Sequence, residues 1–170
     1  EAEYQHSFNI VRNAMLAGNC YLANLTCRIG LRTNLSLPDL YNAAEARYRL
    51  WMKDKLVCFS PETFVKIAQG EISSYPMKGT AEDLSPSSAE QLLANEKEAA
   101  EHATIVDLIR NDLSMVANDV HVERYRYVER LNTHRGPLLQ TSSEIRGRLM
   151  PHLMQRPGDV IFSQLPAGSI

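Results

Sequence analysis

Between residues 50 and 75 the chain carries two hairpin patterns in succession, and they constrain the fold more than any other feature. Apolar segments at 50–52 and 56–59 flank Lys53-Asp54-Lys55, and segments at 64–68 and 71–75 flank Gln69-Gly70. Strands joined this tightly pair antiparallel, because parallel neighbours need a long crossover. Helical spacing brackets this region. Phe8, Val11, Met15 and Leu16 mark a helix over 3–17 that stops at Gly18-Asn19. Residues 20–31 alternate loosely and predict a strand, and Pro38 opens a short helix to about residue 47. After a polar loop at 81–88, Ser87 and Glu90 have capping-box spacing for one long helix over 88–116. Strands are predicted over 120–131 and 138–145, and short helices broken by Pro151 and Pro157-Gly158 follow. The pattern is α+β, mostly antiparallel sheet packed against helices.

Composition narrows the function classes. The 170 residues suffice for one ordinary core, and a formal charge of -2 favours neither nucleic acid nor a membrane surface. Arg124, Arg126, Arg130 and Arg135 lie among Tyr125 and Tyr127, but Glu123 and Glu129 interrupt them, and strand alternation puts the tyrosines on the opposite face. No apolar run has transmembrane length. Cys20, Cys27 and Cys58 sit in apolar runs and read as small buried residues of a reducing, cytoplasmic compartment.

Two short segments carry the chemistry. Tyr75-Pro76-Met77-Lys78-Gly79-Thr80 places a lysine and a hydroxyl in a turn that ends a strand. Lys78 is either a nucleophile, if its surroundings lower its pKa, or a solvent-facing turn lysine. Thr80 either donates its hydroxyl to a substrate or closes the turn. Glu98 and Glu101 stand three apart on the predicted helix and point to one side. Such a pair suits a hard cation such as magnesium, and is also common on solvated helix faces. His102 reads as a substrate hydrogen-bond donor, a support for the carboxylates, or a structural polar residue. Asp107, Arg110, Asn111 and Asp112 suggest a buried polar network. Ala167 and Gly168, within Pro166-Ala167-Gly168-Ser169, either offer backbone amides to a carboxylate or form an ordinary turn.

In order along the chain these motifs resemble the chorismate-utilising enzymes, which include anthranilate synthase component I, aminodeoxychorismate synthase component I, isochorismate synthase and salicylate synthase. Gly18-Asn19-Cys20-Tyr21 with Asn24-Leu25-Thr26 looks like the family's strand after its first helix. Ser60-Pro61-Glu62 with Phe64-Val65, and Pro76-Met77-Lys78-Gly79-Thr80, match two further motifs. Lys97-Glu98 with Glu101-His102, followed by Val106-Asp107-Leu108-Ile109-Arg110-Asn111-Asp112-Leu113, matches the longest signature. Pro166-Ala167-Gly168-Ser169-Ile170 matches the opening of the next.

The resemblance implies magnesium at Glu98 and Glu101, and substrate contacts at Gly79, Thr80, His102, Gln140, Ala167 and Gly168. It implies chorismate as substrate and ammonia from a glutamine amidotransferase partner. A lysine at the position of Lys78 distinguishes the aminodeoxychorismate synthases, where it is implicated as a nucleophile; anthranilate synthases usually have alanine there. Gln140 departs from the family's usual histidine in the stretch before Gly147-Arg148-Leu149, and a glutamine donates a hydrogen bond but does not carry a proton. The family continues beyond its match to Ile170 with a Gly-Ala-Pro-Lys motif and another glutamate pair. The expectation is therefore a single partial domain over 1–170, inactive alone, with open edges that self-association or other parts of the same protein cover. An anthranilate synthase and a non-catalytic interaction module remain alternatives.

Overall fold

The computed structural model describes residues 2–20, 23–133 and 136–168. Two compact units divide the chain, residues 1–36 with 170, and residues 37–169. In the first, helix α1 (Ala2–Leu16) follows the predicted span and buries none of its residues. The strand expected over 20–31 does not form in residues 23–31. A strand exists only as part of a ladder, and the described residues of this unit offer no second strand to pair with. Tyr21 of the first matched motif lies outside the described residues.

The second unit holds the core. Helix α2 (Leu37–Ala43) precedes the hairpin β1 (Tyr48–Met52) and β2 (Leu56–Ser60). The second hairpin, β3 (Lys66–Ala68) and β4 (Glu71–Ser74), turns at Gln69-Gly70 as expected. Lys78 is not in a turn. It lies inside a fifth strand, β5 (Met77–Glu82), because the chain does not reverse at Pro76 but continues along the same neighbour.

That neighbour is β7 (Gly136–Leu149). On one side it pairs antiparallel with the long strand β6 (Ala117–Thr133). On the other, residues 145–148 pair with β4 and residues 138–142 with β5. The sheet is thus antiparallel throughout, with β7 at its centre. Gly147 lets β6 approach: a Cβ there would stand 2.8 Å from Val120 Cγ2 and 2.9 Å from Ala117 Cβ.

The single long helix is corrected to two, α3 (Ser88–Ala94) and α4 (Glu96–Ser114). Asn95 is extended at the break, and its side chain accepts from the Glu98 amide at 3.1 Å, an N-cap that restarts the helix. Ser87 makes no such cap for α3. Helix α4 buries His102, Ile105, Val106, Ile109 and Leu113, one stripe at helical spacing, against Ile72, Ile145 and Leu149 of the sheet. The buried network expected at 107–112 is instead solvated. Asp107, Arg110 and Asn111 are exposed, and Arg110 pairs with Asp107 across one turn at 3.1 Å. A 3-10 turn (Pro151–Leu153) and helix α5 (Pro157–Ser163) complete the unit.

Two further expectations change. The cysteines are free, with Cys27 and Cys58 exposed and Cys20 half-buried rather than buried. The alternation of β6 is also interrupted. Arg124 pairs with Glu144 and Tyr127 with Ser142, so three steps on β6 face two on β7. Arg126 absorbs the extra residue at φ 45°. Arg124 and Tyr127 therefore share a face, with the guanidinium 3.8 Å from the ring centroid. Arg135 lies outside the described residues.

Candidate functional site

Strand β5 has its own bulge at the conspicuous lysine. Lys78 pairs with Thr141 and Thr80 with Gln140, leaving Gly79 as the extra residue at φ 82°. Glycine adopts that conformation without the Cβ clash other residues suffer. Residues paired across an antiparallel ladder share a face. Lys78 thus belongs with Thr141 and Ser143, the buried set that faces α4, whereas Thr80 belongs with Gln140 on the other face. Thr141 Oγ1 donates to the Lys78 carbonyl and fixes the bulge.

Thr80 and Gln140 line one cavity of about 960 Å³, together with Arg47, Phe59, Ser60 and Pro61. The Ser60-Pro61 segment and the Pro-x-x-Gly-Thr segment, twenty residues apart in sequence, thereby meet in space. On the helix side, Glu98 comes to the same bulge. A Cβ at Gly79 would lie 3.2 Å from Glu98 Oε2, 3.2 Å from Thr141 Oγ1 and 3.4 Å from Leu92 Cδ1. Glu98 occupies the first turn of α4, where the helix's free amides favour a negative charge. Glu101 follows one turn later, half-buried and paired with Lys97 at 3.3 Å.

His102 is fully buried and does not line that cavity. Its Nε2 is 2.7 Å from Ser143 Oγ, and its ring meets Tyr125 edge-on at 5.8 Å between centroids. Burial pushes the imidazole pKa below its usual value, the Arg126 charge lowers it further, and the Lys78 backbone carbonyl acts weakly the other way. Ala167 and Gly168 stand apart from the other candidates. They line a separate cavity of about 450 Å³ beside Leu108, Asp112 and Met115, toward the far end of α4. Ser169 and Ile170 of that motif lie outside the described residues.

The two carboxylates suit a hard cation by charge and donor type, since magnesium takes oxygen ligands and retains waters. Among the described residues no three His, Cys, Asp or Glu side chains converge as a metal site. Thr141, Ser143 and Arg126 belong to the same neighbourhood, and residue spacing did not place them there. Asn95 did have one, because Asn95 and Glu98 have capping spacing just ahead of the carboxylates.

An uncharacterized PabA-like protein of Haemophilus influenzae is 48% identical over 169 residues, which are 99% of this chain and 52% of that protein. The aminodeoxychorismate synthase component 1 of Klebsiella aerogenes is 30% identical over 99% of this chain and 39% of its own length. The anthranilate synthase component 1 of Arthrobacter globiformis is 29% identical over 100% of this chain and 34% of its own. The chain thus spans about half the length of the Haemophilus relative, and less of the others. In fold, it is similar to a structure described as a 2,3-dihydroxybenzoate-specific isochorismate synthase from Bacillus anthracis. That likeness has a TM-score of 0.52 and 21% identity, over 69% of this chain and 33% of the other. Residues 1–170 match the chorismate binding enzyme family in full, and the chain belongs to that family.

Proposed function

We propose that the full-length protein aminates chorismate to 4-amino-4-deoxychorismate, as an aminodeoxychorismate synthase component I serving 4-aminobenzoate and folate synthesis. The observation that carries this reading is Lys78. It sits at the bulge where Thr80 opens to the larger cavity on one face and Glu98 approaches on the other. Lys78 Nζ, when neutral, attacks the ring carbon; the N–C bond forms as the C–O bond breaks, and the hydroxyl leaves as water after taking a proton. Ammonia then bonds to the ring at a separate position, and the electron pair of the Lys78 N–C bond returns to the departing lysine. Splitting one substitution into two lowers each barrier. β5 pairs only with β7 among the described strands, so a substrate at its free edge would meet Lys78 from one face and Thr80 from the other, with Gln140 beside Thr80.

Glu98 and Glu101 would hold magnesium, which would neutralise a substrate carboxylate when bound. A glutamine amidotransferase subunit would supply the ammonia. A soluble, cytoplasmic setting fits this role; among the described residues no helix is long and apolar enough to cross a membrane. Self-association, or cover from other parts of the same protein, suits the exposed apolar hairpin β1–β2.

Product analysis of full-length protein with chorismate, magnesium and ammonia tests the reading. Aminodeoxychorismate is expected, and anthranilate alone would reject it. Lys78→Ala should abolish product, with Lys78→Arg giving no rescue because guanidinium stays protonated. Trapping during turnover should give a covalent adduct at Lys78 by mass spectrometry. Glu101→Gln should change the magnesium dependence, and an unchanged dependence would remove Glu101 from the metal site. The anthranilate reading rests on relatives of similar identity, 29% against 30%.

A further inference from the structure

Buried beneath the sheet is a chain of hydrogen bonds that the proposed chemistry does not use. Arg126 donates its backbone N–H to Ser143 Oγ at 2.9 Å, and Ser143 Oγ is 2.7 Å from His102 Nε2. His102 and Ser143 are both fully buried. Ser143 Oγ has one proton and two acceptor sites, so it accepts from the Arg126 amide and still bonds His102 Nε2, and is thereby held from both sides.

This chain ends on the residue that holds β6 out of register. Arg126 stands at φ 45°, a conformation costly for a non-glycine residue, and it persists only where its surroundings impose it. The bulge there is what turns Arg124 and Tyr127 to one face. That face carries a cavity of about 550 Å³ lined by Arg124, Tyr127, Tyr75, Lys66 and Glu144. It is also the face of β7 that presents Gln140 to Thr80.

We propose that His102 is a positioning residue: through Ser143 it clamps the β6 bulge at Arg126, and so sets Arg124 on the sheet face that carries Thr80 and Gln140. Its functional meaning rests on the reading of that face as the site of an anionic substrate, for which Arg124 is the cation the clamp presents. His102 itself touches no substrate. Without the clamp, β6 loses one internal tie and Arg126 a reason to keep its strained backbone; regular alternation would return Arg124 and Tyr127 to opposite faces.

The test uses the full-length protein and separates the clamp from the chemistry. Arg126 amide exchange should quicken in His102→Ala, which leaves Ser143 without its second partner. The Arg126 amide should exchange with solvent about tenfold faster in Ser143→Ala, the loss of one buried hydrogen bond, and Ser143→Thr should restore its protection. For turnover, Ser143→Ala should raise KM for chorismate more than it lowers kcat, with Ser143→Thr again restoring the balance. Unchanged Arg126 exchange in Ser143→Ala, or in a folded His102→Ala, overturns the clamp. An altered exchange rate with unchanged KM overturns its role in positioning. Wild-type protein that does not act on chorismate would refute the proposed function, while the exchange rates would still decide the clamp. If His102→Ala does not fold, Ser143→Ala, which removes a single hydroxyl, still reads the same contact.

Discussion

The β1–β2 hairpin and the central strand β7 are built from similar antiparallel material and end in opposite environments. Every residue of β1 is exposed, with Leu50 at 53%. In β7 a run from Thr141 to Ile145 is buried, and Ile145 is at 0%. The difference is not one of propensity, since Leu50, Trp51, Val57 and Phe59 are good strand formers. It is one of neighbours. β7 has strands on both edges and α4 on one face, whereas among the described residues the hairpin pairs with no further strand and meets the short helix α2, whose Tyr41 ring lies against Trp51. An apolar strand contributes to stability in proportion to what covers it, so the two regions should respond unequally to the same kind of substitution.

The largest test sets Ile145→Ala beside Leu50→Ala. The first should cost about 2–5 kcal/mol in urea unfolding, as for buried aliphatic truncations, and the second under about 1 kcal/mol. Equal losses would show that the hairpin is covered in solution. Gly147→Ala sharpens the contrast from the side of overpacking. Its methyl would meet Val120 and Ala117 at 2.8 and 2.9 Å, so a loss of about 1–3 kcal/mol in the same assay is expected. Next comes Asn95→Ala, which removes the cap of α4. A loss of about 1 kcal/mol is expected, together with weaker exchange protection of the Glu98 amide than of the helix centre.

The smallest effect contrasts two histidines. His102 is lowered by burial, so its contribution is complete above the unfolded value near 6.5 and is lost as pH falls through its lower folded value. His121 is raised by hydrogen bonds to the Asp119 carbonyl and to Glu123, so its contribution is complete below the unfolded value and lost as pH rises through the folded one. Unfolding midpoints measured from pH 5 to 8 should therefore show the deficit of His121→Ala shrinking as pH rises. The His102 term should make wild-type stability decline below about pH 6.5. A deficit of His121→Ala that does not change with pH would remove that residue from the account.

Much of this architecture was legible because it is written locally. Turn chemistry at Lys53-Asp54-Lys55 and Gln69-Gly70 placed both hairpins, and the helical stripe through Ile105 and Ile109 placed α4 against the sheet. What escaped was set by partners distant in sequence. Pro76 suggested a stop, but β5 continues because β7 lies alongside both it and β4. Arg124 and Tyr127 were assigned opposite faces by simple alternation, and a bulge held by Ser143 from another strand reverses that. At the site, Lys78, Gly79, Thr80, Glu98 and Glu101 stood out by residue type and spacing. Their division between two sheet faces follows from the Gly79 bulge, which spacing alone does not reveal. The strand expected at 20–31 failed for the complementary reason, a pattern without a partner.

The central place of β7 also has a consequence in time. β4 and β5 occupy residues 71–82, yet the strand that pairs with both begins at residue 136. During synthesis from the amino end, those two segments leave the ribosome well before the strand that completes their hydrogen bonds. The hairpins form early from contacts only a few residues apart, while the sheet waits for most of the unit to be made and then closes over long loops, which is slow. Until then the edges of β4 and β5 are unpaired, so the birth of this unit is its most aggregation-prone moment.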